Sequence, residues 1–153
     1  MLTVNSDAHF MQQALLQADI ADKQLEIPVG AVIVCEDKII ARAHNQVEQL
    51  QDVTAHAEML AITAAQNYLS SKYLHQCTMY LTLEPCAMCA GALFWSQMGS
   101  LVIGARDSKR GFSLLKPIPL HPKTNVSFGM LEADCEAKIK DFFKKIRDKN
   151  KER

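Results

Sequence analysis

The sequence contains few residues that interrupt regular structure, with 6 glycines and 5 prolines among 153 residues. Its 48% hydrophobic content excludes a disordered or collagen-like chain and is enough to bury one sizeable core. No apolar run approaches the ~20 residues needed to span a bilayer. The first seven residues lack the basic and apolar regions of a secretion signal. We therefore expect a cytoplasmic protein with no membrane partner.

The sequence also lacks a net charge, because 17 basic residues balance 17 acidic ones. Composition as a whole thus gives no argument for a polyanionic partner. Residues 136–153, however, contain eight Lys or Arg and four Asp or Glu, a local charge of +4 that leaves −4 for the rest. This basic tail is either a solvated helix end or a surface that attracts a phosphate backbone.

No repeat, low-complexity tract or Gly/Ser-rich linker divides residues 1–153, so we expect a single domain. Periodicity and turn residues predict, in order, helix 7–23, strands 29–35 and 39–43, a polar loop 45–54, helix 56–68, strand 77–83, helix 85–98, strands 101–104 and 125–130, and a basic helix from about 133 to 149. The segment 106–124 contains three prolines and should include a short helical turn. This order predicts an α/β fold with a mixed sheet of about five strands and helices on both faces.

Five cysteines are an odd number, and two of them occur as Cys86-Ala87-Met88-Cys89 at the start of a predicted helix. Cysteines three apart on a first helical turn lie on one side, and the positive end of the helix stabilises thiolates. His56 opens the preceding predicted helix and would complete a set of three zinc ligands. Because structural zinc sites have four protein ligands, three ligands and an open position indicate a catalytic site.

Glu58 follows His56 by two residues, which places it roughly 200° around an ideal helix and makes it a poor second ligand. Zinc lowers the pKa of a bound water towards ~7, but a leaving group still needs a proton. A carboxyl group beside the metal can carry that proton. The competing interpretations are a closed structural site with Cys35 or Cys77 as fourth ligand, or unrelated buried thiols, and neither requires a glutamate at this position.

At these residues the chain resembles the zinc-dependent cytidine and adenosine deaminase superfamily, whose signature is H-x-E followed by P-C-x-x-C. Within it, the segments Glu26–Val32, Thr54–Glu58 and Thr82–Ala92 are most similar to bacterial tRNA-specific adenosine deaminases. The resemblance covers about residues 8–150 and implies a three-layer α/β/α cytidine-deaminase-like fold.

Carried over by position, the resemblance implies that His56, Cys86 and Cys89 bind one Zn²⁺ per subunit, that Glu58 shuttles a proton and that Asn45 hydrogen-bonds the base. The expected reaction is hydrolysis of adenosine to inosine at the wobble position of a tRNA anticodon. Two departures from the tRNA enzymes are Trp95-Ser96-Gln97 and Lys109–Phe112. The first is similar to guanine deaminases around Trp95.

Three functions therefore remain open at this point. The first is a homodimeric tRNA deaminase, in which Phe94 and Trp95 form a subunit contact. The second keeps the chemistry but acts on a free base or nucleoside of the guanine or cytosine type. The third is a non-catalytic RNA-binding subunit that retains zinc for folding, an idea that leaves Glu58 unexplained.

Overall fold

The computed structural model describes residues 5–152 and contains five helices and a five-stranded sheet within that range. The elements are α1 Asp7–Lys23, β1 Gly30–Cys35, β2 Lys38–His44, α2 Val47–Leu50, α3 Ala57–Leu69, β3 Cys77–Leu83, α4 Ala87–Ser96, β4 Ser100–Ala105, β5 Asn125–Phe128 and α5 Glu132–Lys151. Residues 1–4 and Arg153 lie outside the described residues. The first four belong to the segment used above to argue against a secretion signal, and Arg153 belongs to the basic tail.

The sheet is mixed, as predicted, with strand order β2-β1-β3-β4-β5. Strand β1 is antiparallel to both β2 and β3, whereas β3, β4 and β5 run parallel. The parallel connection from β3 to β4 passes through α4, since parallel neighbours need a crossover. Because β1 is antiparallel to β3, the carboxyl end of β3 and the first residue of β1 lie at the same end of the sheet.

Helices cover both faces and give the predicted three layers. On one face, α3 and α4 pack on alternate strand residues in a core that includes Ala61, Ile33, Met79 and Leu93. On the other face, α1 and α5 pack on the remaining strand residues, with Phe10, Val32, Tyr80 and Cys135 in the core. None of the helices in residues 5–152 combines the length and apolar character needed to cross a membrane.

Gly30 sets the distance between α1 and the sheet. A Cβ at this position would overlap the backbone carbonyl of Ala14 and crowd the amide of Ala18. The Gly30 amide also donates to Thr82 Oγ1 at 3.1 Å, which ties the first residue of β1 to the end of β3. Glycine is thus required by a close backbone approach.

The polar loop predicted for residues 45–54 is wrong in part, because Val47–Leu50 forms the short helix α2. The side chain of Glu26 accepts hydrogen bonds from the amides of Glu48 at 3.1 Å and Gln49 at 2.7 Å. These amides belong to the first turn of α2, which has no internal partner for them. The helix therefore depends on a residue 22 positions earlier, which a local pattern cannot reveal.

The short helical turn predicted within 106–124 is confirmed as a 3₁₀ turn at Phe112–Leu114. The weaker strand predicted at 125–130 is confirmed as β5. Helices α3 and α4 begin later than predicted, since His56 and Cys86 are the N-cap residues and have extended backbone. Both residues were expected inside the first helical turn, and this shift matters for the site.

Candidate metal centre and active site

The three predicted zinc ligands meet where α3 and α4 begin. His56 is the N-cap of α3, Cys86 is the N-cap of α4, and Cys89 lies in the first turn of α4. His56 Nδ1 is 3.7 Å from Cys86 Sγ and 3.5 Å from Cys89 Sγ. The ligand atoms of all three residues lie within 4.8 Å of one another.

These distances fit a zinc ion. Zinc binds sulfur at about 2.3 Å and nitrogen at about 2.0 Å, so tetrahedral ligands lie about 3.6 Å apart. Among residues 5–152, no other His, Cys, Asp or Glu completes this cluster as a fourth ligand. Cys35 and Cys77, the alternatives considered for a closed site, lie at the opposite end of β1 and β3. The donor set therefore matches that of a catalytic zinc with an open position.

The two thiols differ in their tendency to ionise. Hydrogen bonds from Cys89 and His56 lower the pKa of Cys86 to about 3. The Cys86 thiolate and burial raise the pKa of Cys89, and the hydrogen bond with Cys86 raises the pKa of His56. The side chains on their own thus hold one thiolate. A divalent cation would stabilise the second, since a coordinating thiol is deprotonated.

Glu58 lies beside this cluster, 4% exposed, in the first turn of α3. Because His56 is a cap residue and not helical, the 200° separation of an ideal helix does not apply. The Cys89 thiol is hydrogen-bonded to the Glu58 side chain, yet burial raises the pKa of Glu58. A buried carboxyl group with a raised pKa is suited to take up a proton and pass it on during a reaction.

Asn45 faces the same cavity of about 300 Å³ as His56 and Glu58. It is 7% exposed, and its backbone N–H donates to the carbonyl of Val29 at 3.1 Å, which fixes the backbone at this wall. The cavity is also lined by Asp107 and Arg110 from the loop after β4. All five predicted site residues therefore lie at one end of the sheet.

Glu84 immediately precedes the Pro85-Cys86 segment and organises the loop across the cavity. Its carboxylate, 3% exposed, accepts hydrogen bonds from Asp107 N at 3.1 Å, Ser113 N at 2.9 Å and Ser113 Oγ at 2.6 Å. A Cβ on Gly111 would overlap this carboxylate. Glu84 thus holds the 107–113 loop against the metal ligands.

Glu26 plays the corresponding part on the other side of the cavity by binding the first turn of α2. Glu26 and Glu84 belong to the segments that carry the family resemblance, but the sequence alone assigned neither residue a role. In each case the sequence shows only a glutamate beside an apolar segment. The partners lie more than 20 residues away, so neither function could be assigned before the fold was known.

A family model described as the cytidine and deoxycytidylate deaminase zinc-binding region matches residues 4–105. A tRNA-specific adenosine deaminase of Aquifex aeolicus is 43% identical over 145 residues, covering 92% of this chain and 95% of that protein. A structure from a study of A-to-I editing by tRNA:A34 deaminases at the wobble position of transfer RNA has 37% identity and a TM-score of 0.80, covering 85% of this chain and 98% of that one.

A guanine deaminase from Bacillus subtilis, known from its X-ray structure, is also similar. It is 37% identical with a TM-score of 0.61, but the match covers 63% of this chain and 62% of that one. The similarity to the tRNA enzymes is therefore the more extensive of the two. The chain belongs to the zinc-binding cytidine and deoxycytidylate deaminase family and, within it, to the tRNA-specific adenosine deaminases.

Proposed function

We propose that this protein hydrolyses adenosine to inosine at the wobble position of a tRNA anticodon, in the cytoplasm where tRNA is used. The observation that carries the proposal is the cluster of His56, Cys86 and Cys89 beside the buried Glu58, in a chain of which 92% matches a tRNA-specific adenosine deaminase. The third possibility raised by the sequence, a non-catalytic subunit, does not explain why Glu58 is buried beside the cluster, since burying a carboxyl group costs free energy.

The chain supplies ligands, a proton carrier and a base-binding wall. His56, Cys86 and Cys89 would hold the zinc ion, which when bound acts as a Lewis acid and makes water nucleophilic at neutral pH. Glu58 accepts a proton from the attacking water and delivers it to N1 of the purine. It then takes the remaining proton from the hydroxyl on C6 and passes it to the departing amine, so that the C6–N bond breaks and the C6 carbonyl forms. The Asn45 side chain hydrogen-bonds the base in the cavity. The products are inosine and ammonia.

An anticodon base enters the cavity when it is splayed out of its loop, which costs less for an unpaired nucleotide than for a duplex one. Two basic features favour such a substrate over a free base, which carries no phosphate. Arg110 lies at the rim of the cavity. Four exposed basic residues of α5 have no ion pair within residues 5–152, namely Lys144, Lys149, Arg147 and Lys151. These cations can contact phosphates along the stem.

The test incubates the zinc-loaded protein with a synthetic anticodon stem-loop and, separately, with free guanine and cytosine. We expect inosine in the loop by mass spectrometry and no ammonia from the free bases. Glu58→Gln should retain zinc and lose at least about a hundredfold in rate, the lower end of general acid–base catalysis. Glu36→Gln, a matched carboxylate in the β1–β2 turn, should behave as wild type.

The second candidate is deamination of a free base, favoured by Trp95 and by the similarity to the Bacillus subtilis guanine deaminase. This candidate uses the same zinc ligands and the same proton carrier as the first, so the two can be distinguished only by their substrates. Ammonia released from guanine or cytosine, together with an unmodified stem-loop, would replace the proposed function with this one. An active stem-loop reaction in which Glu58→Gln is as fast as wild type would instead refute the assigned proton carrier.

We also propose that two copies associate through α4. Met88, Gly91 and Trp95 lie along one stripe of this helix, and Trp95 is 76% exposed. A Cβ on Gly91 would have no neighbour within 4 Å among residues 5–152. A tryptophan so exposed on an apolar helix is typical of an interface. Sedimentation should give a dimer for wild type and a monomer for Trp95→Glu. A wild-type monomer at micromolar concentration would exclude the association.

A further inference from the structure

A second pair of cysteines, Cys35 and Cys77, lies at the end of the sheet far from the metal centre. Cys35 is the last residue of β1 and Cys77 is the first of β3, and the two are direct partners in the antiparallel register. Opposed residues in such a pair have Cα atoms about 4.5–5.5 Å apart. A disulfide needs about 4.4–6.8 Å. The strand register therefore supplies the backbone geometry of a disulfide.

The local hydrogen bonds bring the two side chains together. The Cys77 amide donates to the carbonyl of Leu74 at 3.1 Å, so the cysteines do not exchange both of their backbone hydrogen bonds. Antiparallel pairs of this kind have the closest side chains. Burial and the neighbouring Cys35 thiol raise the pKa of Cys77.

Access to this pair is unequal. Cys77 is 2% exposed, whereas Cys35 is half-buried. Both line an open cleft of about 430 Å³, together with Lys38 and Tyr73. A small reagent can therefore reach Cys35 first, with Cys77 behind it. In contrast, Cys135 lies on helix α5 and is fully buried in the core on the other face of the sheet, away from Cys35 and Cys77.

We propose that Cys35 and Cys77 form a reversible disulfide between β1 and β3 when the protein meets a low-molecular-weight disulfide. Cys35 Sγ attacks the oxidant, whose sulfur–sulfur bond breaks and releases one thiol. Cys77 then loses its proton and attacks Cys35 Sγ, which releases the second thiol and forms the protein disulfide. Two protein thiols are oxidised, and one small disulfide is reduced to two thiols.

The disulfide would leave the deaminase chemistry intact. Cys77 and Leu83 are at opposite ends of β3, about 20 Å apart at the rise of a strand. Neither cysteine belongs to the cavity that contains His56 and Glu58. This site is independent of the proposed function, and turnover of any deaminase substrate should be the same for the oxidised and reduced forms.

The test treats the zinc-loaded protein with oxidised glutathione and maps disulfides without reduction after chymotryptic digestion. Chymotrypsin cleaves after Tyr80, which separates Cys77 from Cys86. We expect one linked peptide containing Cys35 and Cys77, and an unmodified Cys135 as internal control. The linked form should appear faster at higher pH, because the thiolate is the attacking species in both steps.

Two variants keep the proposal falsifiable. Cys77→Ser should accumulate a stable glutathione adduct on Cys35, and Cys35→Ser should leave Cys77 unmodified because it is buried. Zinc content and circular dichroism check that each variant is folded. A wild-type protein that keeps the adduct on Cys35 without forming the linked peptide would overturn the proposal. A linkage found only after denaturation would overturn it equally.

Discussion

The two ends of the central sheet differ in what they bury. We call the end where β3 finishes at Leu83 and β1 starts at Gly30 the site end, and the end where β1 finishes at Cys35 the far end. Six polar or charged residues within 5–152 are buried, and five of them lie at the site end: Glu26, Asn45, Glu58, Thr82 and Glu84. The sixth, Ser96, lies towards the far end, which otherwise buries apolar side chains and the Cys77 thiol.

The three glutamates show why the site end departs from ordinary packing. Burying a carboxylate is costly unless hydrogen bonds compensate it. Glu26 and Glu84 each accept hydrogen bonds from a distant backbone segment and so fix the walls of the cavity. Glu58 fixes no such segment and contacts the ligand Cys89. Glu26 and Glu84 therefore position the cavity walls, whereas Glu58 is the carboxyl group to which we assign the proton transfer.

The largest expected effect comes from removing a ligand at the site end. His56→Ala should lose zinc and all measurable deamination, because two thiolates alone leave the metal without its third ligand. His75→Ala is the matched change at the far end, where the imidazole is exposed, stacks on Tyr73 and hydrogen-bonds to Gln97. Metal analysis of both purified variants checks the prediction. Equal zinc loss in the two would contradict it.

Glu84→Ala should be the most destabilising change that leaves the metal ligands in place. It removes the acceptor for three donors around Asp107 and Ser113. Buried donors left unpaired cost about 1–3 kcal/mol each, so unfolding in urea should give a loss of about 3 kcal/mol. Ser113→Ala removes one of these bonds and should lose about 1 kcal/mol. Equal losses in the two variants would show that Glu84 does not hold the loop as a unit.

Much of the site end could be predicted from the sequence, because its functional residues occur in motifs whose members lie two or three positions apart. His56, Glu58, Cys86 and Cys89 were found from two motifs, and the helices and strands were found from periodicity. What could not be predicted depends on distant partners. The helix α2 exists because of Glu26, and the Cys35–Cys77 pair exists because of strand register. A one-residue shift of β1 would have separated the two thiols.

A smaller effect is expected midway between the two ends, where Tyr80 donates to Asp7 Oδ1 at 2.6 Å. Tyr80→Phe should lower the free energy of unfolding by about 1 kcal/mol at neutral pH. Burial, and then the contact with Asp7, raise the pKa of Tyr80. A raised pKa means that this stabilisation is complete below the unfolded-state pKa of about 10 and is lost as pH rises further.

Urea titrations of wild type and Tyr80→Phe at several pH values check this sign. The two stability curves should stay a constant distance apart at neutral pH and converge above about pH 10. A difference that grows with rising pH would contradict the assigned direction.

The smallest effect is expected on the face covered by α1 and α5. Lys138 pairs with Asp19 at 2.5 Å and Lys145 with Asp22 at 2.6 Å, and all four side chains are partly exposed. Exposed pairs contribute about 0.2–1 kcal/mol, so Lys138→Gln should reduce stability by about 0.5 kcal/mol and leave zinc content unchanged. Thermal melts in low and high salt check it, because added salt should shrink the difference.

The proposed metal ligands lie at the caps and in the first turn of two helices, whereas the cavity walls at Asn45 and Arg110 lie on loops. This division separates metal binding from the choice of substrate. Caps are anchored by whole helices, while the walls at Asn45 and Arg110 are connections between elements. A loop can be exchanged without moving a ligand. The same reactive centre could therefore be redirected to a different nucleobase by grafting new wall segments, with its catalytic geometry carried along unaltered.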